Sequence, residues 1–247
     1  MKHFTLLFVI SFLVQFETLA GEKLFQSGDK QVSVIELYSS EGCSSCPPAD
    51  RWLAGLKGHS KLWKEFIPLN FHVDYWDRLG WVDKYANQSF SQRQRRYAGE
   101  WGSGRVYTPG FVRNGKEWRA QKLANLLGPE VGQLSVEKTS DTQISVTFQP
   151  KKLSEKANYK VHVALLGNGI TTQVKHGENA GEKLSHEFVV LKKESKSLEK
   201  SGKILQANMS IPKNDNTNAK NYSLVVWVTQ GRSQKPIQAT GGMLAKN

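Results

Sequence analysis

The sequence predicts an α/β domain over residues 21–132 followed by an all-β, sandwich-like domain over residues 133–247. Three observations carry that reading. Strand-like apolar runs alternate with helix-like patterns in the first half. After Gly128 and Pro129 the pattern changes to short alternating segments separated by turn residues. The two cysteines, Cys43 and Cys46, sit where the first of the strands runs into a helix.

The start of the chain reads as a targeting segment. Lys2 and His3 precede an apolar run at residues 4–16, Thr18 and Ala20 stand at the small-residue positions of a cleavage site, and the chain turns polar at Gly21. Residues 1–20 are therefore expected to be a signal peptide cut after Ala20, giving a soluble periplasmic or secreted protein. The run is shorter than the roughly 20 residues that cross a bilayer, so no integral span is expected. The net charge is +12. It is strongest in the second half, where dispersed lysines predominate and Arg232 is the only arginine. Scattered lysine marks a solvated surface, whereas nucleic-acid binding calls for a clustered stripe with arginine and stacking aromatics, so no nucleic-acid partner is expected.

Residues 32–38 are β-branched and mostly apolar, as a buried strand would be. Residues 39–42 supply a turn. Ala49, Trp52, Leu53 and Leu56 then recur at the spacing of one helix face. Pro47 and Pro48 are tolerated only in a first turn, so the helix starts at the cysteines. There the backbone N–H groups and the helix dipole favour a thiolate at Cys43, and Cys46 is spaced to resolve a mixed disulfide. As a purely structural bridge the pair would contribute little, about 2 kcal/mol against about 4.7 for a loop of roughly 100 residues. A zinc site would need further ligands, and no second CxxC or close histidine pair supplies them.

A second buried strand is expected at residues 66–75. A helix pattern then places Val82, Tyr85, Ala86, Phe90 and Tyr97 on one face. Asn114-Gly115 marks a hairpin turn. Before it, Pro109 stands at the mouth of a strand, where a cis bond after Thr108 would aim backbone groups at the dithiol. His72 and Asp74 share a strand face and are candidates to border the dithiol, bind a metal or form a core network. Trp76, Trp81, Tyr97 and Trp101 are candidates for a peptide groove or for core. Arg93, Arg95 and Arg96 read as surface ion-pair residues.

Residues 144–148, 159–166, 184–190, 204–209 and 224–228 read as strands of a sandwich of about seven strands. His176 and His186 flank a Gly-Glu-Asn-Ala-Gly segment and are candidates to hold a metal, although a hairpin turn explains the segment adequately.

The motif from Cys43 to Asp50, the run from Phe71 to Asp77, Gly80-Trp81, Arg93-Gln94 with Tyr97, Tyr107-Thr108-Pro109, the run from His176 to Gly181 and Phe188-Val189-Val190 together resemble the exported bacterial family called domain of unknown function 1223. The resemblance covers nearly the whole chain after the signal segment. It implies a thioredoxin-like first domain and, by similarity to thioredoxins, a cis-proline at Pro109 and a buried carboxylate for proton transfer at or near Glu36, whose alternatives are a carboxylate at the strand end or one paired with arginine. The dipeptide Ser44-Ser45 and the lack of a tryptophan before Cys43 depart from the thioredoxin pattern. The expected function is an exported thiol–disulfide oxidoreductase acting on protein thiols or disulfides. Cys43 and Cys46 are its catalytic pair, and Thr108 and Pro109 dock the substrate backbone. This reading needs no cofactor and no metal. The alternatives are a noncatalytic interaction protein and a Cu(I)-binding module, for which the soft ligands Met209 and Met243 lie far from the cysteines in sequence.

Overall fold

The computed structural model describes residues 22–119, 121–213 and 218–245. The expected signal segment lies outside them. Strand β1 (Glu22–Gln26) and β2 (Lys30–Ser39) lead into helix α1 (Pro47–Ala54) and a 3-10 turn (Gly55–Gly58). Next come β3 (Phe66–His72), a second 3-10 turn (Asp74–Leu79) and α2 (Gln88–Glu100). Three short strands follow, β4 (Gly110–Arg113), β5 (Lys116–Glu117) and β6 (Leu127–Glu130). From there the chain is all strand: β7 (Gly132–Ser140), β8 (Gln143–Pro150), β9 (Tyr159–Asn168), β10 (Ile170–Gln173) and β11 (Lys183–His186). It ends with β12 (Val189–Ser197), β13 (Glu199–Ser201), β14 (Ile204–Ser210), β15 (Asn221–Gln230) and β16 (Pro236–Met243).

These elements overturn the expected α/β class with its thioredoxin-like first domain. The molecule is mostly β, 48% strand against 14% helix, in several sheets. The physical reason lies in how the second half is used. The nine-stranded sheet runs β16-β15-β9-β12-β3-β2-β4-β5, with β6 also paired to β2, so strands from both sides of the 132/133 junction share one ladder. Within it β2 and β3 are parallel, β12 meets β3 through Val189 and Asn70, and β9, β15 and β16 continue antiparallel. Strands β9 and β15 are apolar on both faces, so each face must be covered. A second sheet, β1-β7-β8-β14-β13, covers one face in a sandwich-like packing.

Period-two alternation assigns side chains to the two sides. Val161 and Val163 of β9 and Leu224, Val226 and Val228 of β15 join Leu134, Val136, Ile144, Val146 and Phe148 in the core between the sheets. Ala164, Leu166, Val225 and Trp227 point the other way, into a core shared with β2, β3, α1 and α2. Burial of a large apolar side chain contributes about 1.5–3 kcal/mol, so both cores are substantial. A small β10-β11 hairpin packs beside α1.

Local patterns were altered at two places. The helix expected from Val82 begins only at Gln88, where the Asn87 side chain accepts from the Ser89 N–H at 2.9 Å and caps it. Val82 is exposed, and Asp83 is drawn into the core instead. The second strand stops at His72, which sends Asp74 to Ser91 of α2 while His72 faces Asp83, so the two do not share a site. The Asn114-Gly115 turn joins β4 to β5, both residues in the left-handed region at φ 49° and 76°. Among the described residues no helix is long and apolar enough to cross a membrane.

Candidate functional site

Strand β2 ends in a turn that delivers Cys43 and Cys46 to the start of α1. The two form a disulfide with Cα atoms 5.4 Å apart, and both are fully buried while Ser44 and Ser45 between them are exposed. Cys46, not Cys43, occupies the N-cap position, and Pro47 and Pro48 open the helix. Prolines carry no N–H, and the Ala49 and Asp50 N–H groups already bond to the Cys46 carbonyl at 2.9 and 3.1 Å. The first turn therefore has no spare backbone donor for a thiolate. The donors come from elsewhere: the Thr108 hydroxyl donates to Cys43 Sγ at 3.2 Å, and the Ser45 hydroxyl lies 3.4 Å from it. Trp76 Nε1 donates to Thr108 Oγ1 at 2.7 Å and fixes that hydroxyl. The Thr108–Pro109 peptide bond is cis. Beside it an open depression is lined by Tyr107, Pro109, Phe111, Trp118, Arg119 and Gln121.

The segment after β10 clamps the cysteine loop from above. Asn179 Nδ2 donates to the carbonyls of Glu41 and Cys43 at 2.8 and 3.0 Å, and Glu178 accepts from the Ser44 N–H and hydroxyl at 3.1 and 2.7 Å. Gly177 makes this approach feasible. Its φ is 78°, and a Cβ there would stand 3.2 Å from the Trp81 Cβ.

Glu36 sits apart from this arrangement. Its carboxylate is bound by Arg93 through Nε and Nη2, both at 2.8 Å, and accepts from the Tyr38 and Tyr97 hydroxyls at 2.8 and 2.7 Å. Arg93 is itself buried, stacked near Phe71, Tyr97 and Trp227, so it is no surface residue. Burial pushes the guanidinium down, yet the Glu36 carboxylate holds it well above its usual value. Of the four candidate groove aromatics, Tyr97 is core and Trp76 and Trp81 use their indole N–H on Thr108 and Glu41. Trp101 stacks on Tyr97 and donates to the Gly115 carbonyl. Met209 lies in the core between the sheets, and the Met243 sulfur accepts from Ser223.

Beneath α1 lies a buried polar network that sequence reasoning did not assemble. Asp50 Oδ2 accepts from Ser39 at 2.8 Å and Asp50 Oδ1 from Asn70 at 2.6 Å. His72 Nδ1 lies 2.7 Å from Asp83 Oδ2, which also accepts from the Glu41 N–H at 2.8 Å. His186 stands 3.5 Å from Asp50 Oδ1 and 3.4 Å from Glu41 Oε1. Burial pushes its imidazole down, but those two carboxylates pull it up to about 10. Burial raises Asp50 and Asp83 as well, and the neighbouring histidines bring both below the ordinary carboxylate value. His176, by contrast, is exposed. The network joins residues as far apart along the chain as Ser39 and His186, so no local pattern announces it. The one available signal was that Asn70 and His72 alternate onto the same side of β3.

A β-rich protein with a buried CxxC disulfide at a helix start, hydrogen-bonded by a threonine next to a cis-proline, is the class these features define. The chain belongs to the family described as "Protein of unknown function (DUF1223)", whose sequence model matches residues 34–229. Among solved structures it is similar to protein AGR_C_4864 from Agrobacterium tumefaciens, at 23% identity and a TM-score of 0.61 over 89% of this chain and 97% of that one. It is also similar to HBP35 of Porphyromonas gingivalis, at 17% identity and a TM-score of 0.55 over 88% of this chain and 76% of that one. Both likenesses concern the fold. No curated protein matches the chain.

Proposed function

We propose that this protein is an exported thiol–disulfide oxidoreductase acting on protein thiols or disulfides. The observation that carries the reading is the Cys43–Cys46 disulfide with the Thr108 hydroxyl donating to Cys43 Sγ at 3.2 Å. A hydroxyl in that position stabilises a thiolate once the bond opens, which makes Cys43 both the better leaving group and the nucleophile. In the reduced form the Cys43 thiolate attacks one sulfur of a substrate disulfide, and the other leaves as a thiolate. Cys46 then attacks Cys43 of the mixed disulfide, re-forming the Cys43–Cys46 bond and releasing the second substrate thiol. Two electrons pass from the dithiol to the substrate. The reverse sequence oxidises a substrate dithiol. Thr108, Pro109 and the adjoining depression offer the docking surface for substrate backbone.

One observation favours a second reading, a noncatalytic interaction protein: both cysteines are fully buried, which limits attack by an outside thiol. A titration in glutathione buffers with a thiol-labelling readout separates the two. An exchange-active pair is expected between about −270 and −120 mV, whereas a structural disulfide lies below about −300 mV. Trapping supplies the second arm: Cys46→Ser should accumulate mixed disulfides with envelope proteins and Cys43→Ser should not. A potential in the structural range together with no trapping would sink the oxidoreductase reading.

A further inference from the structure

The network under α1 contains more polar atoms than it has partners for. His72 Nε2, both ring nitrogens of His186, Glu41 Oε1 and Asn70 Oδ1 are all buried and lack hydrogen bonds. An unpaired buried polar atom is destabilising, so five around one spot need an explanation.

Protonation alone does not supply one. An imidazolium at His186 would satisfy its two carboxylate neighbours in charge, but its nitrogens remain 3.4 and 3.5 Å from them and unaligned. It does nothing for His72. That ring spends Nδ1 on Asp83, and Nε2 is buried with no acceptor if protonated and no donor if bare. A bare lone pair calls for an electrophile.

We infer that Asp50, His72 and His186 form a binding site for one divalent transition-metal ion of the zinc type, which ties α1 to β3 and β11. One ligand atom from each of the three lies within 4.8 Å of the others, and all three residues are buried. Ligands about 2.0–2.2 Å from one ion stand at most about 4.4 Å apart, so the set closes on an ion by small side-chain shifts. The supporting groups follow the pattern of metal-bound histidine, in which the far nitrogen faces a carboxylate. Here Asp83 takes His72 Nδ1, and Glu41 lies opposite His186 Nε2. Ser39 and Asn70 hold the Asp50 carboxylate, and the free Asn70 oxygen is available as a further ligand. Three buried carboxylates around two imidazoles also leave negative charge that a dication offsets. Two imidazole nitrogens and a carboxylate oxygen suit Zn²⁺ or Co²⁺ rather than Cu(I), which prefers sulfur, or Ca²⁺, which prefers oxygen alone. The sulfurs of Cys43 and Cys46 take no part, so the site stands whether or not the disulfide is redox-active.

The test uses the purified, oxidised protein refolded from urea with Co²⁺ and then desalted. One Co²⁺ per chain is expected, with visible d–d absorption of a low-coordinate nitrogen and oxygen site and no thiolate-to-cobalt charge transfer. His72→Gln and His186→Gln should each weaken binding by more than about a hundredfold, and Asp83→Asn by about ten- to a hundredfold. His162→Gln and His176→Gln should bind as the parent does. Failure of the parent to retain stoichiometric Co²⁺, a thiolate charge-transfer band, or unchanged binding in folded His72→Gln and His186→Gln would overturn the inference. Should those two variants not fold, Asp83→Asn decides by the same criterion: the stated loss supports the site and unchanged affinity refutes it.

Discussion

Glu36 and Thr108 differ in their hydrogen-bond neighbours, and each difference makes a prediction. With both oxygens bound by Arg93, Tyr38 and Tyr97, Glu36 is a buried ion-pair partner, and the hydrogen bonds at the disulfide come from Thr108 and Ser45 instead. Glu36→Gln leaves the buried Arg93 charge without its counter-ion and is expected to cost about 3–5 kcal/mol in urea unfolding. Its rate of disulfide reduction by dithiothreitol should match the parent's, since a slowed rate would return a proton-transfer role to Glu36. Thr108→Val removes the hydroxyl that donates to Cys43 and accepts from Trp76. In the reduced protein Cys43 should then titrate higher and alkylate more slowly at neutral pH, and an unchanged alkylation profile would show that Thr108 does not tune the thiolate.

At the scale of elements, two sets of hydrogen bonds tie distant segments together. The segment that carries Glu178 and Asn179 is hydrogen-bonded to the cysteine loop. Asn179→Ala leaves the carbonyl of Glu41 unpaired, at about 1–3 kcal/mol, while the Cys43 carbonyl keeps the Cys46 N–H at 3.1 Å, and should speed reduction of the disulfide in stopped-flow thiol assays. Slower reduction would mean that the clamp assists exchange. Within the large sheet, His162 of β9 reaches Ser195 of β12 at 2.7 Å and Thr229 of β15 at 2.9 Å, and stacks on Trp227. Burial, and after it the positive charges of Lys193, Arg93, Lys160 and Arg96, hold its imidazole well below 6.5. The unfolded chain takes up this proton as pH falls through about 6.5 while the folded chain does not. Its contribution to stability is therefore complete above that pH and declines below it. Urea midpoints at pH 7.5 and pH 5 should differ less in His162→Gln than in the parent, provided the variant folds.

For the molecule as a whole, the sheet that crosses residues 132 and 133 makes the two halves depend on each other. Ala164, Leu166, Val225, Trp227 and Ala239 fill the same core as β2, β3 and the helices. A chain ending at residue 132 would expose that apolar surface and the edge of β3. It is expected to lack the near-ultraviolet signal of packed aromatics, and the intact chain to unfold in one transition by both fluorescence and circular dichroism. Two separated transitions would show that the halves fold independently.

The sequence by itself determined what short-range chemistry dictates: the β2 strand, the cysteine pair at the start of α1, the Asn114-Gly115 hairpin, the strands expected at 144–148, 159–166, 204–209 and 224–228, and membership of the family, whereas the strand expected at 184–190 is broken at Phe188, φ 58°, into β11 and β12 of different sheets. Apart from family membership, which rests on motifs spread from Cys43 to Val190, each rests on residues close along the chain, where periodicity, proline and glycine act directly. The class was misread because periodicity marks strands without saying which sheet they join. Strands β9, β12, β15 and β16 extend the first half's sheet through contacts that no local pattern encodes. The Asp50, His72 and His186 cluster was hidden for the same reason, since α1, β3 and β11 meet only once the sheet has formed. Which polar atoms end up buried without partners is a property of that packing, and only the tertiary structure decided it.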